Sequence, residues 1–238
     1  MVIEPMKCGT EEFEVHLPEE LIAAELEPNR VELPQRTPAE HIRWALDHPV
    51  DSAPLKELVK AGDKVCIVIS DVTRRWQSPE TYIPVLIAEL ESAGIRDEDM
   101  LIISATGTHR RQTPEEHMGL VTKEVYERIE LVDHVCTDEE NLSYVGTTSR
   151  GTPVWLDKRA LACDKIILTG GVVYHFMAGF GGGRKSILPG IAGRETIMKN
   201  HNLALNPGLG NGSNPQVRSA NMNATNPVHA DMMEACYM

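Results

Sequence analysis

Three short apolar runs constrain this chain more than anything else in it: KVCIVIS at 64–70, MLIISAT at 100–106 and DKIILTG at 164–170. Each is brief, rich in β-branched residues and apolar through its middle without alternation. That pattern fits a strand buried on both faces, and such a strand needs helices above and below it. Between the first two lies SPETYIPVLIAELESAG (78–94), an amphipathic stretch that stops at Gly94. Strand, helix and strand in succession imply right-handed βαβ units. The expected class is therefore α/β: a Rossmann-like parallel sheet flanked by helices, with its crevice at the carboxyl ends of the strands.

The remainder is organised around that core. FEVHL (13–17) alternates and reads as a half-buried strand. TPAEHIRWALDHP (37–49) opens a helix, with Thr37 as cap, Pro38 in the first turn and Glu40 closing a capping box. SAPLKELVKAG (52–62) reads as a second helix, capped by Ser52 and stopped by Gly62. TPEEHMGLVTKEVYERI (113–129) repeats the Thr-Pro-Glu-Glu start, with Thr113 and Glu116 as the box. IELVDHVC (129–136) is strand-like, and PVWLDKRALA (153–162) reads either way. After Gly190 the stretch 200–227 is rich in Asn, Gly and Pro, which predicts a long functional loop or linker and no core element. A last helix starts at Asn226-Pro227 and ends on apolar residues, whose face is expected to be uncovered. The expected division is a single N-terminal domain over 1–238, made of a strand and helix (1–50), an α/β core (51–200), and a loop and helix (201–238) leading to a second domain absent from this chain.

Composition narrows the partners. A net charge of −12 leaves no basic surplus for neutralising phosphates, which argues against nucleic acid or an anionic membrane. The N-terminus has no apolar signal core and no run reaches spanning length. The five cysteines, Cys8, Cys66, Cys136, Cys163 and Cys236, have no CxxC spacing and read as buried, reduced thiols of a cytoplasmic protein.

Each of the three strands runs straight into a polar cluster. The first meets Asp71, Thr73, Arg74 and Arg75; the second meets Gly107, Thr108, His109 and Arg110; the third meets Gly171, Tyr174 and His175. In an open parallel sheet these ends share one crevice. Asp71 and Thr73 also fit a plain helix cap. An Arg facing a crevice suits a carboxylate or phosphate. His109 and His175 stand out by position, whereas His16, His41, His48, His117, His134 and His229 read as ordinary surface or hydrogen-bonded histidines. The loop GFGGGRKS (179–186) misses the P-loop pattern at Arg184, and Pro189-Gly190 follow too soon for a P-loop helix. Its glycines Gly182 and Gly183, with Ser186, still let backbone N–H groups approach an anion. Lys185, beside the cation Arg184, is placed to be a partly neutral, nucleophilic amine. Two other readings stay open: a phosphate- or nucleotide-binding module without turnover, and a zinc hydrolase built on His109, His175 and His201, which no compact ligand spacing supports.

Taken together, DVTR (71–74), GTHR (107–110), HFMAGFGGGRKSILPG (175–190), KNHNLALNPG (199–208) and NPVHADMMEA (226–235) resemble the N-terminal domain of the nickel-dependent lactate racemase family, over roughly residues 60 to 238. The resemblance implies a racemase or epimerase of a small 2-hydroxy acid, lactate or a larger analogue given the bulk of RRWQ (74–77). It implies a nickel pincer nucleotide, a pyridinium mononucleotide binding Ni through two sulfurs and a carbon, held by a thioamide at Lys185. It matches His201 to the metal, and His109 and His175 to an acid–base pair. Asp71, Thr73, Arg74, Gly182, Gly183, Arg184 and Ser186 fall at cofactor positions, with Arg74 also at the substrate. Both histidines are then expected to titrate near neutrality. A second domain is implied to close the site, and a homo-oligomer is compatible with the family.

Overall fold

The computed structural model describes residues 1–27, 29–206, 208, 212–217 and 225–238. It divides into two units, Met1–Gln35 and Arg36–Met238. The first is a hairpin of β1 (Val2–Cys8) and β2 (Glu11–Leu17), antiparallel, followed by a 3-10 turn at Glu19–Leu21. The expected strand at 13–17 is present, but it is exposed rather than half-buried, with Phe13 open to solvent.

The second unit begins with α1 (Pro38–Asp47), which carries the expected capping box: Thr37 and Glu40 satisfy each other's backbone N–H. α2 is only Leu55–Leu58. The longer helix expected over 52–62 does not form: the Ser52 hydroxyl turns to the Ala53 carbonyl, Pro54 precedes the helix, and Val59 is already extended. Then come β3 (Val65–Ser70), α3 (Pro79–Ser92) and β4 (Met100–Ala105). α3 ends where Gly94 takes a left-handed φ of +87°. The stretch 113–129 is two helices, α4 (Pro114–Val121) and α5 (Lys123–Arg128), broken at Thr122, whose hydroxyl caps the second. β5 (Glu130–Asp133) follows. The ambiguous 153–162 is both things in turn: β7 (Pro153–Asp157), paired with β6 (Leu142–Thr147), then α6 (Lys158–Leu161). β8 (Lys165–Leu168) and the small bridge of β9 (Tyr174–His175) with β10 (Gly179–Phe180) lead to α7 (Arg194–Asn202) and α8 (Pro227–Tyr237).

Four strands form the parallel sheet, in the order β5-β4-β3-β8. The expected α/β class with a parallel sheet between helices is therefore what the chain forms. β3 is its centre, buried from Val65 to Ile69. Alternate residues serve opposite cores. Val65, Ile67 and Ile69 pack under α3, α4 and α5 with Ile83, Leu90 and Leu120. Cys66 and Val68 pack on the other face with Leu188, Ile191 and Met232. β8, expected to be buried on both faces, is instead an edge strand among the described residues and only part-buried.

Two expectations for the C-terminal stretch fail for one reason. The second core needs a cover, and the chain supplies it from beyond Gly190. Ile191, Ala192, Ile197, Ala204 and Val217 are buried there, as are Val228, Met232 and Ala235 of α8. So Ala204 and Val217 put core residues into the stretch read as coreless, and the apolar face of α8 is covered, although Tyr237 stays exposed. Residues 207, 209–211 and 218–224 of the expected loop lie outside the described residues. All five cysteines are free, but only Cys66 is fully buried and Cys8 is exposed. Among the described residues no helix is long and apolar enough to cross a membrane.

Deleting the Ile67 side chain in the centre of β3 is expected to cost about 2–5 kcal/mol. Thr113→Ala, which removes one half of a capping box, should cost about 1 kcal/mol. Phe13→Ala on the exposed hairpin should change stability by less than about 0.5 kcal/mol. Urea unfolding of the three variants checks the ranking.

Candidate active site

The chain runs from β3 to β4 and β5 on one side, and β8 is added on the other. The sheet thus reverses direction beside β3, where open α/β sheets hold their ligands. A cavity of about 530 Å3 opens there. Its walls come from all three strand ends: Asp71, Thr73 and Arg74 after β3, Gly107, Thr108 and His109 after β4, and Gly170, Gly171 and His175 after β8. Gly182, Lys185 and Ser186 of the glycine loop and His201 of α7 complete it.

Asp71 ties two of these segments together. Its backbone leaves β3 in extended form and caps the 3-10 turn Val72–Gln77. One carboxylate oxygen accepts from the Thr73 amide (3.1 Å) and hydroxyl. The other meets Nδ1 of His109 in a short contact. Asp71 is buried, whereas the His109 side chain is about half exposed to the cavity. A carboxylate on Nδ1 fixes the ring and leaves Nε2 as the free lone pair. Behind the turn, Gln112 accepts from the Val72 amide (2.6 Å) and donates to Ser104 and Asp133. His117 shares Asp133, at 2.9 Å.

The glycine loop is held just as closely. The Gly107 amide donates to the Gly190 carbonyl (3.0 Å), and the Ser186 hydroxyl donates to the Thr169 carbonyl (2.8 Å). Gly182 sits at φ +72°, and a Cβ on Gly190 would collide with the Ser186 backbone. These positions need glycine for backbone reasons. Gly183–Ser186 form a 3-10 turn and no α-helix follows before Gly190, so the P-loop geometry is absent.

Lys185 is the most perturbed amine. Burial, then the Arg74 and Arg184 charges, hold its pKa down to about 8. The expectation of a partly neutral amine agrees with this, but its leading cause is burial rather than the neighbouring Arg184. Arg184 itself is misassigned by the sequence reading. It does not line the cavity. Its guanidinium is buried in the opposite direction, donating to His229 Nδ1 (2.9 Å) and to the Ala178 and Phe180 carbonyls, and it stacks on the Phe180 ring at 3.9 Å. Nε and Nη2 are spent on packing the loop, while the buried Nη1 has no hydrogen-bond partner among the described residues. Gly183 opens the turn and is likewise not among the cavity-lining residues.

The histidines also differ from expectation. Burial and the Lys185, His201 and Arg74 charges hold His175 down to about 4, so it does not titrate near neutrality. Nδ1 of His175 accepts from the Met177 and Ala178 amides, at 3.2 and 3.1 Å. His201 is lowered by burial and then by Lys185. Its Nδ1 is buried and drawn toward the Ile197 carbonyl one turn back, without a well-formed hydrogen bond. Among the described residues no three His, Cys, Asp or Glu side chains cluster closely enough to hold a metal ion. A zinc set of His109, His175 and His201 has no geometric support. A metal here would need donors from a bound organic group, with His201 as the protein's own contribution. A lowered lysine amine beside that histidine fits such a group.

Trp76 and Gln77, part of the bulk expected at the pocket, do line the cavity, whereas sequence reasoning missed Met198, which α7 brings to it. Of the RRWQ bulk, Arg75 lies against Gly119 of α4, outside the cavity. Arg110 pairs with Glu116 and also stands apart. His134, read as ordinary, is buried between Asp157 (3.0 Å) and the Ala192 carbonyl (2.9 Å).

The family model for the lactate racemase N-terminal domain matches residues 8–212. The chain is 36% identical to a lactate racemase of Lactiplantibacillus plantarum over 82% of its own length and 44% of that protein's. It is 32% identical to one of Thermoanaerobacterium thermosaccharolyticum, with 82% and 43% covered. The chain thus spans less than half of these relatives. The lactate racemase apoprotein structure from Thermoanaerobacterium thermosaccharolyticum superimposes with a TM-score of 0.81 at 29% identity, covering 99% of this chain and 53% of that one. A Thermotoga maritima protein shares the fold at a TM-score of 0.64 and 22% identity, with 84% and 47% covered.

The rate of acylation of Lys185 by an amine-directed reagent, followed by peptide mass spectrometry from neutral to alkaline pH, should be half-maximal near 8. Between about 8 and 10.5 the unfolded chain holds this proton and the folded one does not. Stability from this site therefore rises with pH across that window, and Lys185→Met should remove the rise.

Proposed function

The chain belongs to the lactate racemase N-terminal domain family, and from that premise we propose that its cavity is the site of a 2-hydroxy-acid racemase, acting on lactate or a larger analogue and using a nickel pincer nucleotide tethered at Lys185. One observation carries the reading: a half-buried amine lowered to about 8 shares one cavity with His109 and His175 at the strand ends and His201 of α7. The Cα–H of a hydroxy acid is too weak an acid for simple deprotonation. The bound cofactor supplies an acceptor for hydride, so that no carbanion has to form.

The protein's own groups do the rest. Lys185, neutral at accessible pH, is the nucleophile through which the cofactor is attached. His201 offers the metal an imidazole. Gly182, Ser186 and Thr73 line the wall against which the nucleotide lies. Gly183 acts on the loop's shape, and Arg184 is withdrawn from the cofactor set. Arg74 faces the cavity with a guanidinium suited to a substrate carboxylate. His109 holds or releases the hydroxyl proton at Nε2, and Asp71 on Nδ1 orients the ring. His175 is the second histidine at the substrate. We assign the activity to a protein longer than this chain, with a second domain closing the site, and place it in the cytoplasm on the strength of five unpaired thiols.

Producing the whole protein together with cofactor-making enzymes should add mass at Lys185, bind nickel and interconvert the enantiomers of a hydroxy acid on chiral chromatography. Lys185→Ala should lose both the added mass and turnover. His109→Ala should keep the mass and slow turnover by about 10²–10⁴-fold. Full activity with an unmodified Lys185 would end the reading.

A further inference from the structure

We propose that Cys66 and Cys163 are a redox-active pair that a hydroperoxide converts to a disulfide, a modification site at the end of the sheet opposite the cavity. The inference goes beyond the racemase reading and does not rest on it.

Strand pairing brings the two residues together although they are far apart in sequence. β3 and β8 run parallel, with Val65 opposite Lys165 and Cys66 opposite Ile166. Just before β8 the chain is pinned to Lys64 from both sides. The Lys64 carbonyl accepts from the Asp164 and Lys165 amides (2.8 and 3.1 Å), and the Lys64 amide donates to the Asp164 carboxylate (2.8 Å). The Cys163 thiol turns back along α6 and donates to the Arg159 carbonyl at 3.4 Å. Its sulfur is also hydrogen-bonded to the Cys66 thiol. Cys66 is wholly buried, and Cys163 packs part-buried against the same core. Its neighbours Ala162 and Asp164 are exposed, so solvent reaches this end of the sheet.

The two thiols are unequal in the way a two-step oxidation needs. The thiolate is the form that attacks a peroxide. The hydrogen bond from Cys66, helped by the Lys64 charge, holds the Cys163 thiol below its ordinary range against burial and Asp164. The same hydrogen bond, then burial, pushes the Cys66 thiol up. Cys163 is therefore the first nucleophile and Cys66 the thiol that resolves it. Cys136 and Cys236 pack in the same core, but burial pushes both of them up, and Cys8 lies in the separate hairpin unit. In the first step the Cys163 sulfur attacks one peroxide oxygen. An S–O bond forms, the O–O bond breaks, and the departing oxygen leaves as water once protonated. In the second step Cys66 gives up its proton and attacks the sulfenic sulfur. The S–S bond forms, the S–O bond breaks and a second water leaves. Two thiols lose two electrons, and the two peroxide oxygens gain them. The link joins segments that backbone hydrogen bonds already hold together, and it spares Cys163 the irreversible oxidation states.

The test treats the folded chain with hydrogen peroxide at neutral pH, blocks the remaining thiols, and digests it without reductant for peptide mass spectrometry. We expect the peptides of Cys66 and Cys163 to be joined and lighter by two hydrogens, and to separate on adding dithiothreitol. Thiols titrated in the denatured chain should fall by two from five. In Cys66→Ala the first step still runs and the second cannot, so a 1,3-diketone should trap Cys163 as its sulfenic-acid adduct. Cys163→Ser, changed at the part-buried position, should leave Cys66 reduced, and it keeps the test open if Cys66→Ala does not fold. A link from Cys163 to any other cysteine would overturn the proposal. So would a wild-type Cys163 that stops at the sulfenic or sulfinic acid, or a pair still reduced when Cys8 is fully oxidised.

Discussion

A single buried carboxylate, Asp71, decides how the end of the central strand is used. Its one oxygen terminates β3 by capping the turn that follows, and its other reaches the loop after β4 to hold His109. Without the cap, Thr73 and Arg74 would have no fixed place. The contact to His109, together with Gln112 on the Val72 amide, ties the segment after β4 to the turn after β3. Both demands fall on one side chain because β3 and β4 are parallel neighbours in register from Val65 to Ser70, so their carboxyl ends emerge side by side. Asp71 is therefore a cap, as one reading had it, and at the same time part of the cavity wall.

Much of the core was legible because its signals are local. Apolar runs long enough for one strand, and Thr-Pro-x-Glu starts, hold their meaning wherever they occur. What was illegible depends on partners distant in sequence. α7 contains few apolar residues, yet Ile197 and Thr196 are buried because β7 and the loop after Gly190 enclose them. α8 looked as though it needed a partner outside the chain; Met232 and Val228 find one in the core beside β3. α2 failed in the other direction: its pattern was helical, but Pro54 and the extended Val59 confine it to one turn.

In the site, the convergence of His109, His175 and Lys185 could be read from the rule that parallel strands present their ends together. The roles of individual atoms could not. Arg184 and Lys185 are adjacent, and nothing local says that one guanidinium turns into the protein to brace carbonyls while its neighbour faces the cavity. The contact that decides it, His229, lies 45 residues on. Gln112, which secures the turn after β3 from 40 residues away, left no trace in any motif. The chain spends its rigid contacts on backbone: Ser186 on Thr169, Gly107 on Gly190, Arg184 on Ala178. The backbone that carries His109, His175, Lys185 and His201 around the cavity is thereby fixed.

The account stands on Asp71 acting through His109 rather than beside it. A double-mutant cycle measures this directly, with enantiomer interconversion by the cofactor-loaded whole protein as the readout and Asp71→Asn chosen because Asn still caps the turn. If Asp71 works through the imidazole, adding Asp71→Asn to His109→Ala slows the reaction no further than His109→Ala alone. Losses that multiply, as for two independent groups, would contradict the account.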